Sequence, residues 1–192
     1  ALAAIGAVSV PIYDTDSAAQ AQRILNDSAV KLAIADNQER FDRLDSVLDA
    51  CPALERILML DAHAVNALEG LGVMVSDEEL DERIGSVHAD DLATIVYTSG
   101  STGTPKGAEL THRNFTSITR AAQNCVPEVI TGEARLLLFL PLAHCFARMI
   151  QYFTIGSAEG VVGYLPNTKT LPRDMQVFQP TFLLGVPRVF EK

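Results

Sequence analysis

Cysteine is scarce in this sequence, and its distribution argues against two classes of protein. The three cysteines are Cys51, Cys125 and Cys145, and no two of them have the short spacing of zinc ligands. Their odd number and wide separation also argue against the disulfide framework of a small secreted domain. We therefore expect reduced thiols in a cytoplasmic protein that holds no metal through cysteine.

Long apolar runs are equally scarce. The longest, at 136–143, contains Pro141 and is far shorter than the roughly 18 to 20 residues that a membrane-spanning helix requires. The apolar residues at 1–12 lack the positively charged region of a signal peptide, and we interpret them as the interior of a domain. We expect no transmembrane segment, and a location in the cytoplasm or at the periphery of a membrane.

Positively charged residues are also few. Lysine and arginine together number 15 against 24 acidic residues, which gives a formal net charge of −9. The basic residues are scattered, so the sequence lacks the electrostatic footprint of a nucleic-acid-binding protein. A negative surface also disfavours simple adhesion to anionic lipid. We therefore expect no nucleic-acid partner.

The apolar residues that are present alternate between two periodicities. Helical spacing recurs within 18–25, 37–48, 111–125, 144–155 and 174–178. Short apolar runs predict strands at 3–12, 30–35, 56–60, 93–97, 108–110, 135–140, 161–165 and 182–184. This alternation predicts an α/β fold, with a layered, mainly parallel sheet and flanking helices. We expect Asp14, Thr15 or Asp16 to cap the first helix, Thr111 to cap the helix at 111–125, and Cys125 to be buried on that helix.

The pattern weakens between residues 61 and 91. Acidic side chains cluster at 77–82, and no histidine or cysteine joins them at ligand spacing. We interpret this cluster as a solvated face rather than a metal site. Residues 62–72 are the expected boundary between two approximate lobes, 1–72 and 73–192.

The most distinctive segment lies at 97–107 and reads YTSGSTGTPKG. Its glycines allow close approaches to the backbone, and consecutive N–H groups with Ser or Thr hydroxyls can surround phosphate oxygens. Lys106 adds a positive charge. The segment is not a Walker A loop, because Pro105 stands where that motif has glycine and Gly107 where it has a hydroxyl. By composition, a polyphosphate-binding loop and an ordinary Ser/Gly linker both remain open.

The order of these residues closely resembles the phosphate-binding signature of the adenylate-forming superfamily, which includes acyl-CoA synthetases, luciferases and peptide-synthetase adenylation domains. Three other segments resemble the long-chain fatty acyl-CoA synthetases within it. They are VSVPIYDTDSAAQ at 8–20, LPLAHCFAR at 140–148 and LLGVPRVFEK at 183–192. Together these segments extend the resemblance over nearly the whole chain.

This resemblance implies a partial N-terminal domain of an ATP-dependent long-chain fatty acid:CoA ligase. Such an enzyme joins a fatty acid carboxylate to the α-phosphorus of ATP, releases pyrophosphate and passes the acyl group to coenzyme A, with Mg²⁺ sharing the work. No side chain of the loop need act as a nucleophile. The resemblance places these residues around the β- and γ-phosphates: Thr98, Ser99, Gly100, Ser101, Thr102, Gly103, Thr104 and Lys106.

His144 and Gly185 are the expected residues of the substrate pocket. By its type alone, His144 could be a general base, a metal ligand or a core residue, but no ligand partner lies near it in sequence. The resemblance implies that His144 shapes the acyl entrance and that Gly185 leaves room for the substrate, although Ala147 replaces an acidic residue of many long-chain members. A Cys–His hydrolase pair with Cys145 is disfavoured, because neighbouring helical side chains diverge by roughly 100°.

Several motifs of the family do not occur in this sequence. They are the segment whose Glu helps hold Mg²⁺, the Asp that binds the ribose hydroxyls, and the mobile C-terminal domain with its catalytic Lys. We therefore expect a piece of the parent enzyme that is inactive alone. The alternatives are a fatty acyl-AMP ligase that feeds a carrier protein, and a non-catalytic binding fragment. A truncated sheet would expose apolar edges, so self-association is also expected.

Overall fold

The computed structural model describes residues 2–60, 64–99, 105–129, 131–156, 159–165 and 168–185. It divides into two compact units, Ala1–Leu110 and Thr111–Lys192. This division lies elsewhere than the boundary expected at 62–72, because backbone hydrogen bonds join Ser9 to Ala93 (3.2 Å) and to Ile95 (3.2 Å), across that boundary. The approximate lobes 1–72 and 73–192 stay a prediction.

The first unit combines helices with two pairs of strands. Its described helices are α1 (Ala18–Asp27), α2 (Gln38–Asp45), α3 (Ala64–Gly72) and α4 (Asp77–Gly85). Its described strands are β1 (Leu32–Ala35), β2 (Arg56–Met59), β3 (Leu92–Ser99) and β4, which runs over Pro105–Thr111. β1 and β2 pair in parallel, with Leu32 opposite Arg56, and β3 pairs with β4.

The start of α1 is fixed by a capping box. The Ser17 hydroxyl accepts a hydrogen bond from the Gln20 N–H (3.3 Å), and the Gln20 side chain accepts one from the Ser17 N–H (2.8 Å). The expected caps at Asp14 to Asp16 are therefore wrong. Asp16 instead accepts a hydrogen bond from the N–H of Tyr13 (3.0 Å), which closes the turn before the helix.

A small apolar core lies between α1, α2 and the first strand pair. Alanines occupy both buried positions of β1, and their short side chains let the neighbouring helices approach the sheet. The buried members of this core are Ala21, Leu25, Ala33, Ala35, Leu44, Cys51 and Leu54. The helices predicted at 18–25 and 37–48 and the strands predicted at 30–35 and 56–60 are confirmed, with shifted ends.

Another prediction for the first unit is wrong. The strand expected at 3–12 is a 3₁₀ helix at Leu2–Ile5 followed by one parallel bridge between Ser9 and Thr94.

The helix α3 lies in the range of the expected boundary, and α4 follows it. Beyond α3, Val73 and Met74 are 79% and 90% exposed. This apolar surface is compatible with the expected self-association, which stays a prediction.

The acidic cluster at 77–82 lies on α4, which has no buried residue. Its interpretation as a solvated face is confirmed. Among the residues that the structure describes, no group of three or more His, Cys, Asp or Glu side chains could hold a metal ion.

The second unit repeats the combination of helices and parallel strands. Its described elements are α5 (His112–Cys125), β5 (Arg135–Leu138), α6 (Cys145–Gly156), β6 (Val161–Tyr164) and α7 (Leu171–Phe178). β5 and β6 pair in parallel, with Arg135 opposite Val161, and Phe182 adds one parallel bridge to Leu136. Parallel pairs flanked by helices confirm the predicted α/β class.

The core of the second unit lies between β5 and α6. Leu136, Leu138, Ala147 and Ile150 form it, and Leu136 and Ala147 are completely buried. α5 meets α6 through the rings of Phe115 and Tyr152, which pack edge to face with centroids 5.4 Å apart.

The burial of Cys125 was wrongly predicted. Thr111 does cap α5, since its hydroxyl accepts a hydrogen bond from the N–H of Asn114 (3.4 Å). However, Cys125 is exposed at the last residue of the helix, and α5 as a whole has no buried residue. No helix within the described ranges is long and apolar enough to cross a bilayer.

Candidate functional site

The segment predicted as a loop at 97–107 is partly strand. β3 continues through Thr98 and Ser99, and β4 begins at Pro105 and includes Lys106. Both ends of the predicted loop therefore belong to paired strands. The remaining predicted phosphate-binding residues lie outside the described residues: Gly100, Ser101, Thr102, Gly103 and Thr104.

Two polar side chains are exposed at these strand ends. Thr98 carries a hydroxyl on β3, and Lys106 carries an ammonium group on β4. Within the described parts of the chain, Lys106 forms no ion pair. The structure thus brings a hydroxyl-bearing strand and a lysine-bearing strand together as neighbours in one sheet.

Tyr97 is the buried residue next to this position. Its side chain is 6% exposed, and its O–H donates a hydrogen bond to Asp27 Oδ2 at 2.5 Å. Burial, and secondly the hydrogen bond to Asp27, raise the pKa of the Tyr97 phenol to about 12. Sequence reasoning did not identify this pair, whose members are 70 residues apart.

Gly107 allows β4 to lie close to the side chains of β3. A Cβ at this position would lie 2.8 Å from Ile95 Cγ2, 3.2 Å from Tyr97 Cζ and 3.3 Å from the Tyr97 hydroxyl. Any larger residue would therefore push the tyrosine ring or the strand aside. The last glycine of the segment has a packing role against Tyr97.

An open groove lies beside the same strands. Gln22, Arg23, Asn26 and Asp27 line it from α1, and Pro105 lines it from β4. Asp27 therefore belongs both to the wall of the groove and to the hydrogen bond with Tyr97.

His144 lies in the second unit, immediately before α6, and its side chain is exposed. Its Nδ1 accepts a hydrogen bond from the N–H of Phe146 (3.3 Å), and the Cys145 Sγ lies 3.8 Å from the same nitrogen. The expected divergence of His144 and Cys145 is wrong, because His144 precedes the helix and the helical angle does not apply to it. An accepting Nδ1 carries no proton, so a neutral His144 in this arrangement has its proton on Nε2.

Gly185 lies in a different segment of the second unit. It is half-buried and follows Leu184, which packs against the core of that unit. Ala147 is a member of the same core and is completely buried, so a small apolar residue suits this position. His112, the first residue of α5, has a buried Nε2 with no hydrogen-bond partner among the described residues.

Ionisation of Tyr97 is expected to destabilise the protein at alkaline pH. The folded state holds the phenol proton up to a pKa of about 12, whereas a tyrosine in an unfolded chain titrates at about 10. The stabilisation is complete below a pH of about 10 and is lost as the pH rises through about 12. Between about pH 9 and about pH 11 the free energy of unfolding should fall by about 1.4 kcal/mol more in the wild type than in Tyr97→Phe. Urea unfolding of both proteins measures this difference, and equal losses would contradict it.

Taken together, these features define an α/β protein in which a segment rich in Ser, Thr and Gly joins two paired strands. Residues 1–192 match the AMP-binding enzyme family. The chain belongs to this family, and the resemblance to adenylate-forming enzymes is confirmed.

Individual proteins extend this similarity. Long-chain-fatty-acid–CoA ligase FadD15 of Mycobacterium bovis is 38% identical over 195 residues, which cover 100% of this chain and 32% of the relative. The inhibitor-bound N-terminal domain of FACL13 from Mycobacterium tuberculosis has a TM-score of 0.76 at 23% identity, covering 99% of this chain and 46% of that one. ATP-bound MatB from Rhodopseudomonas palustris has a TM-score of 0.71 at 23% identity, covering 97% of this chain and 35% of that one.

The matched regions cover this whole chain but only part of each relative. The chain spans about a third of the length of the curated relatives it matches. The two structural similarities, at 23% identity, establish the fold.

Proposed function

We propose that this chain supplies the triphosphate-binding segment and part of the acyl pocket of an ATP-dependent long-chain fatty acid:CoA ligase. The observation that carries this proposal is the arrangement of Thr98 and Lys106. Thr98 is exposed near the end of β3, Lys106 is exposed near the start of β4, and the two strands are paired. Membership of the AMP-binding family and the name of the FadD15 relative support it.

Lys106 is the proposed electrostatic contact to the nucleotide. An exposed ammonium group can neutralise the β- and γ-phosphates and hold them so that pyrophosphate departs in line with the attacking oxygen. Hydroxyl and N–H donors of the same segment would bind the remaining phosphate oxygens. The proposed donors are Thr98, Ser99, Gly100, Ser101, Thr102, Gly103 and Thr104.

The proposed reaction has two steps. A fatty acid carboxylate oxygen attacks the α-phosphorus of ATP, the bond to the β-phosphate oxygen breaks, and pyrophosphate leaves. The thiol of coenzyme A then loses its proton to solvent as its sulfur attacks the acyl carbonyl carbon, and AMP leaves with the electron pair of the broken acyl–oxygen bond. This chain contributes binding and orientation to the first step, and we assign no nucleophile to it.

Magnesium is held in such reactions mainly by phosphate oxygens and water, with one or two carboxylates. Magnesium would enter the proposed reaction with the nucleotide, as Mg-ATP, and no residue of this chain is proposed as its ligand.

His144 and Gly185 are the proposed residues of the acyl pocket. Because the Nδ1 of His144 accepts the Phe146 N–H, a general-base role for this nitrogen is disfavoured. The Nε2–H remains as a hydrogen-bond donor, which suits contact with a carboxylate oxygen. Gly185 adds no side chain and leaves space for an aliphatic chain.

The full-length protein that contains this chain is expected to release pyrophosphate from Mg-ATP only when a long-chain fatty acid is present. Pyrophosphate release and product analysis with and without coenzyme A provide the test. Acyl-CoA is the expected product. Accumulation of acyl-AMP in the presence of coenzyme A would favour the fatty acyl-AMP ligase. Pyrophosphate release at the same rate without fatty acid would contradict both kinds of ligase. The 192-residue chain alone is expected to show no turnover.

A further inference from the structure

Tyr97 is held at both ends of its side chain. Its hydroxyl donates to Asp27 on α1, and its ring lies where a Cβ of Gly107 on β4 would be only 3.2 Å away. The residue itself belongs to β3 and is 6% exposed. One side chain thus connects α1, β3 and β4.

The helix that presents Asp27 is firmly placed. Asp27 is the last residue of α1, and the buried side of that helix includes Ile24 and Leu25, which are 3% and 2% exposed. The preceding Asn26 donates a side-chain hydrogen bond to the Ala50 carbonyl oxygen (2.9 Å). The carboxylate that meets Tyr97 is therefore attached to a fixed part of the core.

The position of Asp27 is locally unfavourable. The carboxyl end of a helix carries the negative end of the helix dipole, which disfavours a carboxylate. Local conflicts of this kind are expected where a residue serves a function of the site. The charged acceptor strengthens the hydrogen bond from Tyr97, which a neutral residue of better helix propensity would not do.

Tyr97 and Asp27 lie next to the strand ends that carry Thr98 and Lys106. Tyr97 immediately precedes Thr98. Asp27 lines the same groove as Pro105, which immediately precedes Lys106. We propose that the hydrogen bond between Tyr97 and Asp27 is a positioning contact that holds β3 and β4 against α1, so that Thr98 and Lys106 keep the spacing that ATP phosphates require. This inference rests on the proposed function.

Tyr97→Phe in the full-length protein tests it, because it removes the hydroxyl and keeps the ring against Gly107. The KM for ATP should rise about tenfold, as expected for loss of a hydrogen bond to a charged group. The kcat at saturating ATP should change much less. Mere loss of folded enzyme would have the opposite signature, because it would lower the apparent kcat and leave the KM for ATP unchanged. Fatty-acid-dependent pyrophosphate release measures both constants.

Further variants separate positioning from general stability. Asp27→Ala should reproduce the effect of Tyr97→Phe, and Asp27→Asn, which keeps an acceptor oxygen but loses the charge, should raise the KM for ATP less than Asp27→Ala does. The double variant Tyr97→Phe/Asp27→Ala should be no worse than either single one, because both remove the same contact. Tyr164→Phe is the matched control. It removes a phenol that bonds Gln151 in the second unit, and should leave the KM for ATP unchanged.

The outcomes distinguish this inference from the function beneath it. If the wild type releases pyrophosphate and Tyr97→Phe has an unchanged KM for ATP, the positioning role is overturned and the proposed ligase function stands. If the wild type neither binds Mg-ATP in isothermal titration nor releases pyrophosphate, both are overturned. A KM for ATP that rises in Tyr97→Phe and Asp27→Ala, and rises less in Asp27→Asn, supports the positioning role.

Discussion

Replacing Lys106 by alanine in the full-length protein is expected to slow adenylation about 100-fold. Removal of one preorganised charge or donor at a developing oxyanion typically costs 10²-fold to 10³-fold in kcat. Lys106 is exposed at the start of β4, beside the strand that carries Thr98. Single-turnover measurement of pyrophosphate release with fatty acid and Mg-ATP reports the step directly.

The charge distribution explains why Lys106 is a candidate for this role. Several other cations of the first unit already have carboxylate partners, including Arg40 with Asp36 and Arg83 with Glu79. Lys106 has no such partner in the described ranges. In a chain of net charge −9, an unpaired lysine at a strand end favours an anion that comes from outside the protein.

Lys31→Ala is the matched control for Lys106→Ala. Lys31 is also a surface lysine at a strand, but it pairs with Glu55 at 3.5 Å, and exposed pairs of this kind contribute little. Lys31→Ala should therefore leave the adenylation rate within about twofold of the wild type. Equal rates for wild type and Lys106→Ala would remove Lys106 from the proposed site, whereas equal losses in both lysine variants would indicate a general charge effect.

The elements that sequence reasoning predicted well are those whose apolar pattern is local. The apolar runs that became β1, β2, β5 and β6 lie in parallel pairs, and their composition alone indicates strands. The helices α1 and α5 were found from their apolar spacing. The pattern identified these elements even where burial is incomplete, since α5 has no buried residue and β6 is at most half-buried.

α4 was missed although its signal was present. The Ser76 hydroxyl accepts a hydrogen bond from the N–H of Glu79 (3.2 Å), so Ser-x-x-Glu marks the start of this helix. The apolar spacing did not predict α3 and α4, because neither helix packs a wide apolar face into a core. Cys125 shows the opposite error, since an apolar stripe on α5 predicted burial that the end of the helix does not have.

The candidate site shows a different limit of sequence reasoning. Thr98, Ser99 and Lys106 could be proposed because they lie in one ordered motif. The contact between Tyr97 and Asp27 joins residues 70 positions apart, and no local pattern identifies its partner. The unfavourable carboxylate at the end of α1 was the one available sign, and it becomes informative only when the acceptor of the Tyr97 hydroxyl is known.

Gly160→Ala is expected to unfold the β5–β6 pair locally, at a cost of about 3 kcal/mol in the free energy of opening. A Cβ at Gly160 would lie 2.6 Å from the Ala134 carbonyl oxygen and 3.0 Å from Thr154 Cγ2. That carbonyl accepts the Val161 N–H (2.8 Å) at the start of β6. Because the clash is with backbone beside a fully buried Thr154, no flexible side chain can move away to relieve it.

Native-state amide hydrogen exchange can locate this effect within the molecule. Exchange in β5 and β6 should accelerate about 100-fold, which corresponds to roughly 3 kcal/mol, while β1 and β2 should keep the protection of the wild type.

Gly156→Ala is the matched control, since a Cβ there meets nothing within 4 Å. It lies at the last residue of α6, where alanine is the better helix former, so its exchange should be unchanged or slower. If both variants exchange at the wild-type rate, Ala134 and Gly160 can separate without loss of strand pairing. If both accelerate alike, the cost lies in losing glycine itself rather than in contact with the Ala134 carbonyl.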